Sequence, residues 1–194
     1  LVHQRRRTEH RTQQARVHGE ELGAEVKCEP RHEIKKGVPR QPALVRQHEA
    51  RIGRDATFRH LVVTLGGDLV RLNTNVSYDG PGGSANLFGV YFADAGQHQE
   101  HRVFVDHNAP RCTSLVTYKG ALQGEKAHTV WVGNVLIRKV AEGIETYEEN
   151  RNLVLTDGCQ ADSVPNLEIE TGEIVGAGHA SATGRFDDEQ LFYL

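Results

Sequence analysis

No methionine occurs anywhere in the 194 residues, aromatic residues make up 6% of the chain, and the three cysteines, Cys28, Cys112 and Cys159, stand far apart. Each shortage excludes something. An odd number of cysteines with no Cys-x-x-Cys spacing argues against a disulfide framework and against a closed zinc site, so reduced thiols are expected. No aromatic residue precedes Phe58, which leaves the first part of the chain nothing to stack on a base. No run of eighteen apolar residues occurs, and Leu1-Val2-His3-Gln4-Arg5-Arg6-Arg7 has no apolar stretch behind its charges. Neither a membrane span nor a secretory signal is read, and a cytoplasmic location is the expectation. With no methionine and a start at Leu1, the chain is expected to be a piece of a longer protein.

What is present falls into unlike parts. Residues 1 to 40 carry ten Lys/Arg against six Asp/Glu, while the whole chain has a net charge of -3. Residues 1–43 read as a basic, poorly defined lead. Five arginines in the first sixteen residues could suit nucleic acid through counterion release, but without interleaved aromatics a solvated end is the plainer reading, and no nucleic-acid partner is expected.

From Thr57 onward the pattern becomes short runs rich in valine, leucine, threonine and aromatics, each closed by a turn signal. Thr57 to Leu65 ends at Gly66-Gly67-Asp68, Leu69 to Tyr78 at Asp79-Gly80-Pro81-Gly82-Gly83, and Ala85 to Phe92 at Asp94-Ala95-Gly96. Further strands are expected at Arg102 to Asp106, Ser114 to Lys119, Thr129 to Val132, Val135 to Val140, Asn152 to Thr156, Leu167 to Glu170 and Ile174 to Val175. Val103-Phe104-Val105 and Val130-Trp131-Val132 are apolar on both faces and read as covered on both sides, whereas Leu167-Glu168-Ile169-Glu170 alternates as a half-exposed strand should. The architecture is all-β, and pattern alone leaves a sandwich, a barrel and a parallel β-helix open. No repeat of fixed length stands out, which weakens a regular solenoid. Near the end, Asp187 followed by Gln190 has capping-box spacing, so a helix is expected to start near Asp188.

Several groups could carry chemistry. His98, His101 and His107, with Asp94, Glu100 and Asp106 nearby, resemble a metal-ligand set and would suit a cupin-like barrel, although a polar rim around a turn is the simpler reading. Asp94, Glu100 and Asp106 with Arg102 could instead line the groove of a β-helix carbohydrate lyase or hydrolase, provided two carboxylates stand about 5 to 10 Å apart. Gly66-Gly67 and Gly80-Pro81-Gly82-Gly83 are not phosphate loops, because no Gly-Lys-Ser/Thr follows.

A more specific signal lies in ordered matches along the chain. Ala161-Asp162-Ser163-Val164-Pro165-Asn166-Leu167-Glu168-Ile169-Glu170, Gly178-His179-Ala180-Ser181-Ala182-Thr183-Gly184 and Phe186-Asp187-Asp188-Glu189-Gln190-Leu191-Phe192-Tyr193-Leu194 resemble the C-terminal signature of the SufB/SufD family of iron-sulfur cluster assembly proteins. His60-Leu61-Val62-Val63-Thr64-Leu65-Gly66-Gly67, Tyr91-Phe92-Ala93-Asp94-Ala95-Gly96-Gln97-His98, Val105-Asp106-His107 and Thr117-Tyr118-Lys119-Gly120 extend the likeness to about three quarters of the chain.

The resemblance implies a right-handed parallel β-helix, placed at residues 44–185, with most glycines at its corners, followed by the start of a truncated C-terminal helical region at 186–194. It implies a non-enzymatic scaffold with no catalytic residue, pairing with a SufB-like subunit through the β-helix and with a SufC-like ATPase through the C-terminal helices. An iron-sulfur cluster would be assembled transiently at the shared interface, and none is expected on the isolated chain. Asn150-Arg151-Asn152-Leu153-Val154-Leu155 holds no cysteine where the SufB type has one, and His179 is followed by Ala180 rather than Glu; both departures favour the SufD type. By the resemblance, His179 is the iron-binding interface histidine. Cys159 falls about nine residues beyond the SufB-type position and reads as a small buried residue.

Overall fold

The computed structural model describes a strand at residues 24–30 and then residues 43–185. Eleven strands follow one another: β1 (Ala24–Pro30), β2 (Leu44–Ile52), β3 (Thr57–Leu65), β4 (Leu69–Tyr78), β5 (Ser84–Ala93), β6 (His98–His107), β7 (Thr113–Leu122), β8 (His128–Ile137), β9 (Ile144–Val154), β10 (Gln160–Ile169) and β11 (Ile174–Arg185). One sheet has the order β1-β2-β4-β6-β8-β10 and the other β11-β9-β7-β5-β3. From β2 onward the chain crosses between sheets at every corner and lies parallel to itself one coil later. This is a parallel β-helix of about five coils, with β1 running antiparallel along the free edge of β2. The helix expected near Asp188 lies outside the described residues, as does all of the basic lead except β1 and Ala43.

Coil length explains why no repeat stood out. In the first sheet Leu44, Val70, Gln99, Thr129 and Ala161 stack on one another at steps of 26, 29, 30 and 32 residues. The strands keep register while the corners absorb the difference.

Side chains alternate in and out along each strand, and the inward rows of both sheets form one core that includes Ile52, Tyr78, Leu87, Tyr91, Val105, Tyr118, Trp131 and Ile137. Phe104, Val130 and Val132 point outward and are only half-buried, so β6 and β8 are covered on one side, contrary to the expectation from their apolar runs. The runs Thr129 to Val132 and Val135 to Val140 belong to a single strand, β8, which ends at Ile137. Gly133 does not break it. An added Cβ there would collide with the Trp131 ring and the Glu148 carboxylate, so its place is occupied by neighbours. β9 begins at Ile144, well before the expected Asn152, because its inward residues Thr146, Glu148, Asn150 and Asn152 give no apolar alternation to read.

Corner glycines such as Gly82, at φ +76, adopt the left-handed backbone that L side chains avoid. Gly120 has another task. It sits inside β7, where a Cβ would fall within the Tyr91 ring, and Tyr91 leans across this gap from β5 so that its hydroxyl donates to Asn152 Oδ1 on β9 at 2.6 Å. The core is therefore locked between alternate coils as well as adjacent ones.

His101 and His107 are buried, stacked on Tyr91 and Tyr78 at centroid distances of 4.7 and 5.0 Å. Burial lowers each imidazole from the ordinary 6.5 to about 4, against the smaller upward pull of Glu100 on His101 and Asp106 on His107. Below pH 6.5 the unfolded chain takes up protons that the folded one refuses, so folding stability falls as pH drops from 6.5 towards 4. Each histidine contributes a slope of about 1.4 kcal/mol per pH unit at the steepest part. Urea midpoints measured between pH 7 and 5 should fall accordingly, and the double substitution His101→Gln with His107→Gln should flatten the dependence. Gly120→Ala should cost about 1–3 kcal/mol in the same urea assay by overpacking against Tyr91; a wild-type midpoint would contradict the interlock.

Candidate functional site

In a β-helix the inward side chains of one coil are covered by the next. Among the described residues nothing covers the coil formed by β10 and β11. On β11 the positions Ala177, His179, Ser181 and Thr183 lie over Thr146, Glu148, Asn150 and Asn152 of β9. His179 thus occupies an inward position that is nevertheless open, with 43% of its side chain exposed. Gly178, Ala180 and Ser181 flank it and add little bulk.

Beneath it, Glu148 is 1% exposed, and its Oε1 stands 3.9 Å from His179 Nδ1. Neither carboxylate oxygen makes a full hydrogen bond, and burial raises the carboxyl to about 7, partly offset by the nearby Asn166 backbone amide. At this distance the two groups are not hydrogen-bonded, and both His179 ring nitrogens stay open to a partner's approach.

Beside this pair the interior is a polar network. Asn150 Nδ2 donates to the Tyr91 hydroxyl at 2.8 Å, Asn152 Nδ2 donates to Asn150 Oδ1 at 2.8 Å, and the Ser163 hydroxyl also donates to Asn150 Oδ1. Burial pushes the Tyr91 phenol up to about 12, so it remains a neutral donor at any working pH.

The strand pleat divides the histidine group expected around β6. His101 and His107 point inward, bonded to the Thr64 and Ser114 hydroxyls at 2.9 Å each, while His98 points outward. His98 instead meets His128 one coil later, their Nδ1 atoms 3.1 Å apart. The carboxylates do not converge either. Glu100 is held by Arg102 and Arg71, Asp106 makes two hydrogen bonds with Arg138 at 2.7 and 2.9 Å, and Asp94 accepts from the Ala95 amide within its own turn. Six residues of extended strand put Glu100 and Asp106 about 20 Å apart, beyond the reach of a paired-carboxylate mechanism. Among the described residues no three His, Cys, Asp or Glu side chains gather around a common point. Cys159 is partly buried against Ala93, Leu122 and Ala127, with its thiol directed to the Gly124 carbonyl at 3.3 Å.

Sequence reasoning missed Glu148, His128 and Asp162. The missing signal is register: Glu148 and His179 are one coil apart, as are His98 and His128, and only the stacking of strands makes them neighbours.

The last described coil of this β-helix carries one exposed imidazole, His179. Residues 31–194 match the model of the SUF system FeS cluster assembly SufBD core domain, and the chain belongs to that family. An iron-sulfur cluster assembly SufBD family protein of Mycobacterium tuberculosis is 68% identical over 153 residues, covering 76% of this chain and 38% of that protein. A SufBD family protein of Mycobacterium leprae is 66% identical over 153 residues, covering 76% and 39%. The iron-sulfur cluster assembly protein SufD of Escherichia coli is 28% identical over 144 residues, covering 74% and 33%. The chain thus spans about two fifths or less of the length of these relatives.

Because His179 is exposed and carries no hydrogen bond that holds the coil together, His179→Ala should shift unfolding stability by no more than about 0.5 kcal/mol in a urea titration. A loss several times larger would make the ring a structural element.

Proposed function

We propose that this chain is the β-helix part of a SufD-like scaffold subunit. It pairs with a SufB-like partner through the final coil, and His179 supplies one ligand to iron while a cluster is built at the joint interface. The cluster is cargo, handed on rather than kept, and the chain acts as a scaffold without turning over a substrate. The observation that carries this reading is the exposure of His179 at a position where a β-helix normally buries its side chain, among small neighbours that let another protein approach. Imidazole nitrogen is a suitable iron ligand, and the buried Glu148 carboxyl lies 3.9 Å from the ring.

Two further features support the SufD type over the SufB type. The stretch Asn150 to Leu155 holds no cysteine, and SufD of Escherichia coli is among the relatives. Among the described residues no strand follows β10 or β11 in its sheet, so a partner strand could extend either sheet alongside residues 160–169 or 174–184. A SufC-like ATPase would dock on the C-terminal helical region that the family resemblance implies, in a cytoplasmic setting.

The test is reconstitution of the full-length subunit with SufB-like and SufC-like partners. His179→Ala should leave complex formation intact on gel filtration while cluster assembly, followed by visible absorbance and bound iron, drops to background. Cluster yield equal to wild type would remove His179 from the assembly site.

A further inference from the structure

On the outward face of the first sheet, His98, His128 and Gln160 stack in register at the starts of β6, β8 and β10. His98 Nδ1 and His128 Nδ1 are 3.1 Å apart, with the two rings at 77° to each other. On its far side His128 Nε2 bonds Asp162 Oδ2 at 2.7 Å. Asp162 is itself held by Gln160, whose Nε2 approaches both carboxylate oxygens at 3.1 and 3.0 Å.

The proton positions follow from what each atom can do. A carboxylate only accepts, so His128 Nε2 carries a proton; in the neutral imidazole its Nδ1 is bare and His98 Nδ1–H is the donor between the rings. His128 Nδ1 is therefore a lone pair aimed at His98 Nδ1 from a ring oriented by a carboxylate on its other nitrogen, the arrangement found behind metal-ligating histidines. Two nitrogens 3.1 Å apart, each at the usual 2.0–2.1 Å from a zinc ion, subtend about 100° at the metal, close to a tetrahedral angle. Asp162 supplies negative charge beside the pair, whereas the charge of Glu100 is taken up by Arg71 and Arg102. His128 and Asp162 have 31% and 44% of their side chains exposed, so an ion can arrive from solvent.

The geometry points to a divalent transition-metal site of the zinc, nickel and copper class, formed by His98 Nδ1 and His128 Nδ1 with Asp162 as the orienting carboxylate. Two coordination positions remain for water or for a donor from another molecule. Metal replaces the hydrogen bond between the rings, and the His98 proton passes to its Nε2, so no net proton is released. This site lies on the outer face of β6 and β8 and does not depend on His179 or on the assembly role.

The test is a titration of the full chain with zinc sulfate, followed by NMR of 15N-labelled histidine side chains, with His98 and His128 assigned through single substitutions. Both Nδ1 signals should move together as one site fills, and either His98→Gln or His128→Gln should abolish the response of the remaining ring. Asp162→Ala should weaken binding roughly 10–100-fold. His179→Ala should leave the titration unchanged, which separates failure of this site from failure of the scaffold role. Zinc that moves neither ring, or that still moves His128 fully in the His98→Gln variant, overturns the proposal.

Discussion

Every coil of this β-helix depends on the coil after it to cover its inward side chains. In-register stacking makes that possible, because each inward residue sits directly over another of its own row and strand pairs hold the rows in line. A slip of one residue would turn every inward side chain outward and leave the core without its aromatics. The same dependence fails at the last described coil, where inward positions are open. There β11 turns His179, Ser181 and Thr183 to the open side, while β10 leaves Leu167 and Ile169 only partly covered.

The interior changes character along its axis. Early coils are filled by Ile52, Phe58, Val76 and Leu87, whereas β9 turns Glu148, Asn150 and Asn152 inward. Buried amides are stabilising only when satisfied, and the asparagines satisfy one another and Tyr91. Glu148, on the same strand, is not satisfied. A carboxylate buried without a hydrogen bond disfavours its own charge, and the cost is tolerated one coil from an imidazole rather than deep in the stack. A buried carboxyl with neither oxygen hydrogen-bonded therefore lies directly under the exposed His179.

How far the sequence could be read follows from what each strand shows to solvent. β3 and β4 are legible to the residue, because apolar alternation and glycine corners bound them. β9 is not, since its inward row is polar, and β8 looks broken because Gly133 yields its space to Trp131. His98, His101 and His107 look like one group in sequence but fall on two faces, as spacings of three and six residues on a period of two dictate. His179 owed its selection to family resemblance alone; nothing in its local pattern distinguishes it from a corner histidine.

Stacking that builds the core also builds the surface. Outward residues one coil apart become neighbours by the same rule, which is why Asn166 meets Asn134, Arg138 meets Asp106 and His98 meets His128. Such pairs cost little to form because the strands that carry them are already held by the core. A parallel β-helix can thus hold one polar site on its last described coil and another on its flank with no side chain in common. His179 and Glu148 belong to the inward row of the second sheet, His98, His128 and Asp162 to the outward row of the first. Substituting either set leaves the packing beneath the other untouched, so two roles on this chain can evolve, and be dissected, independently.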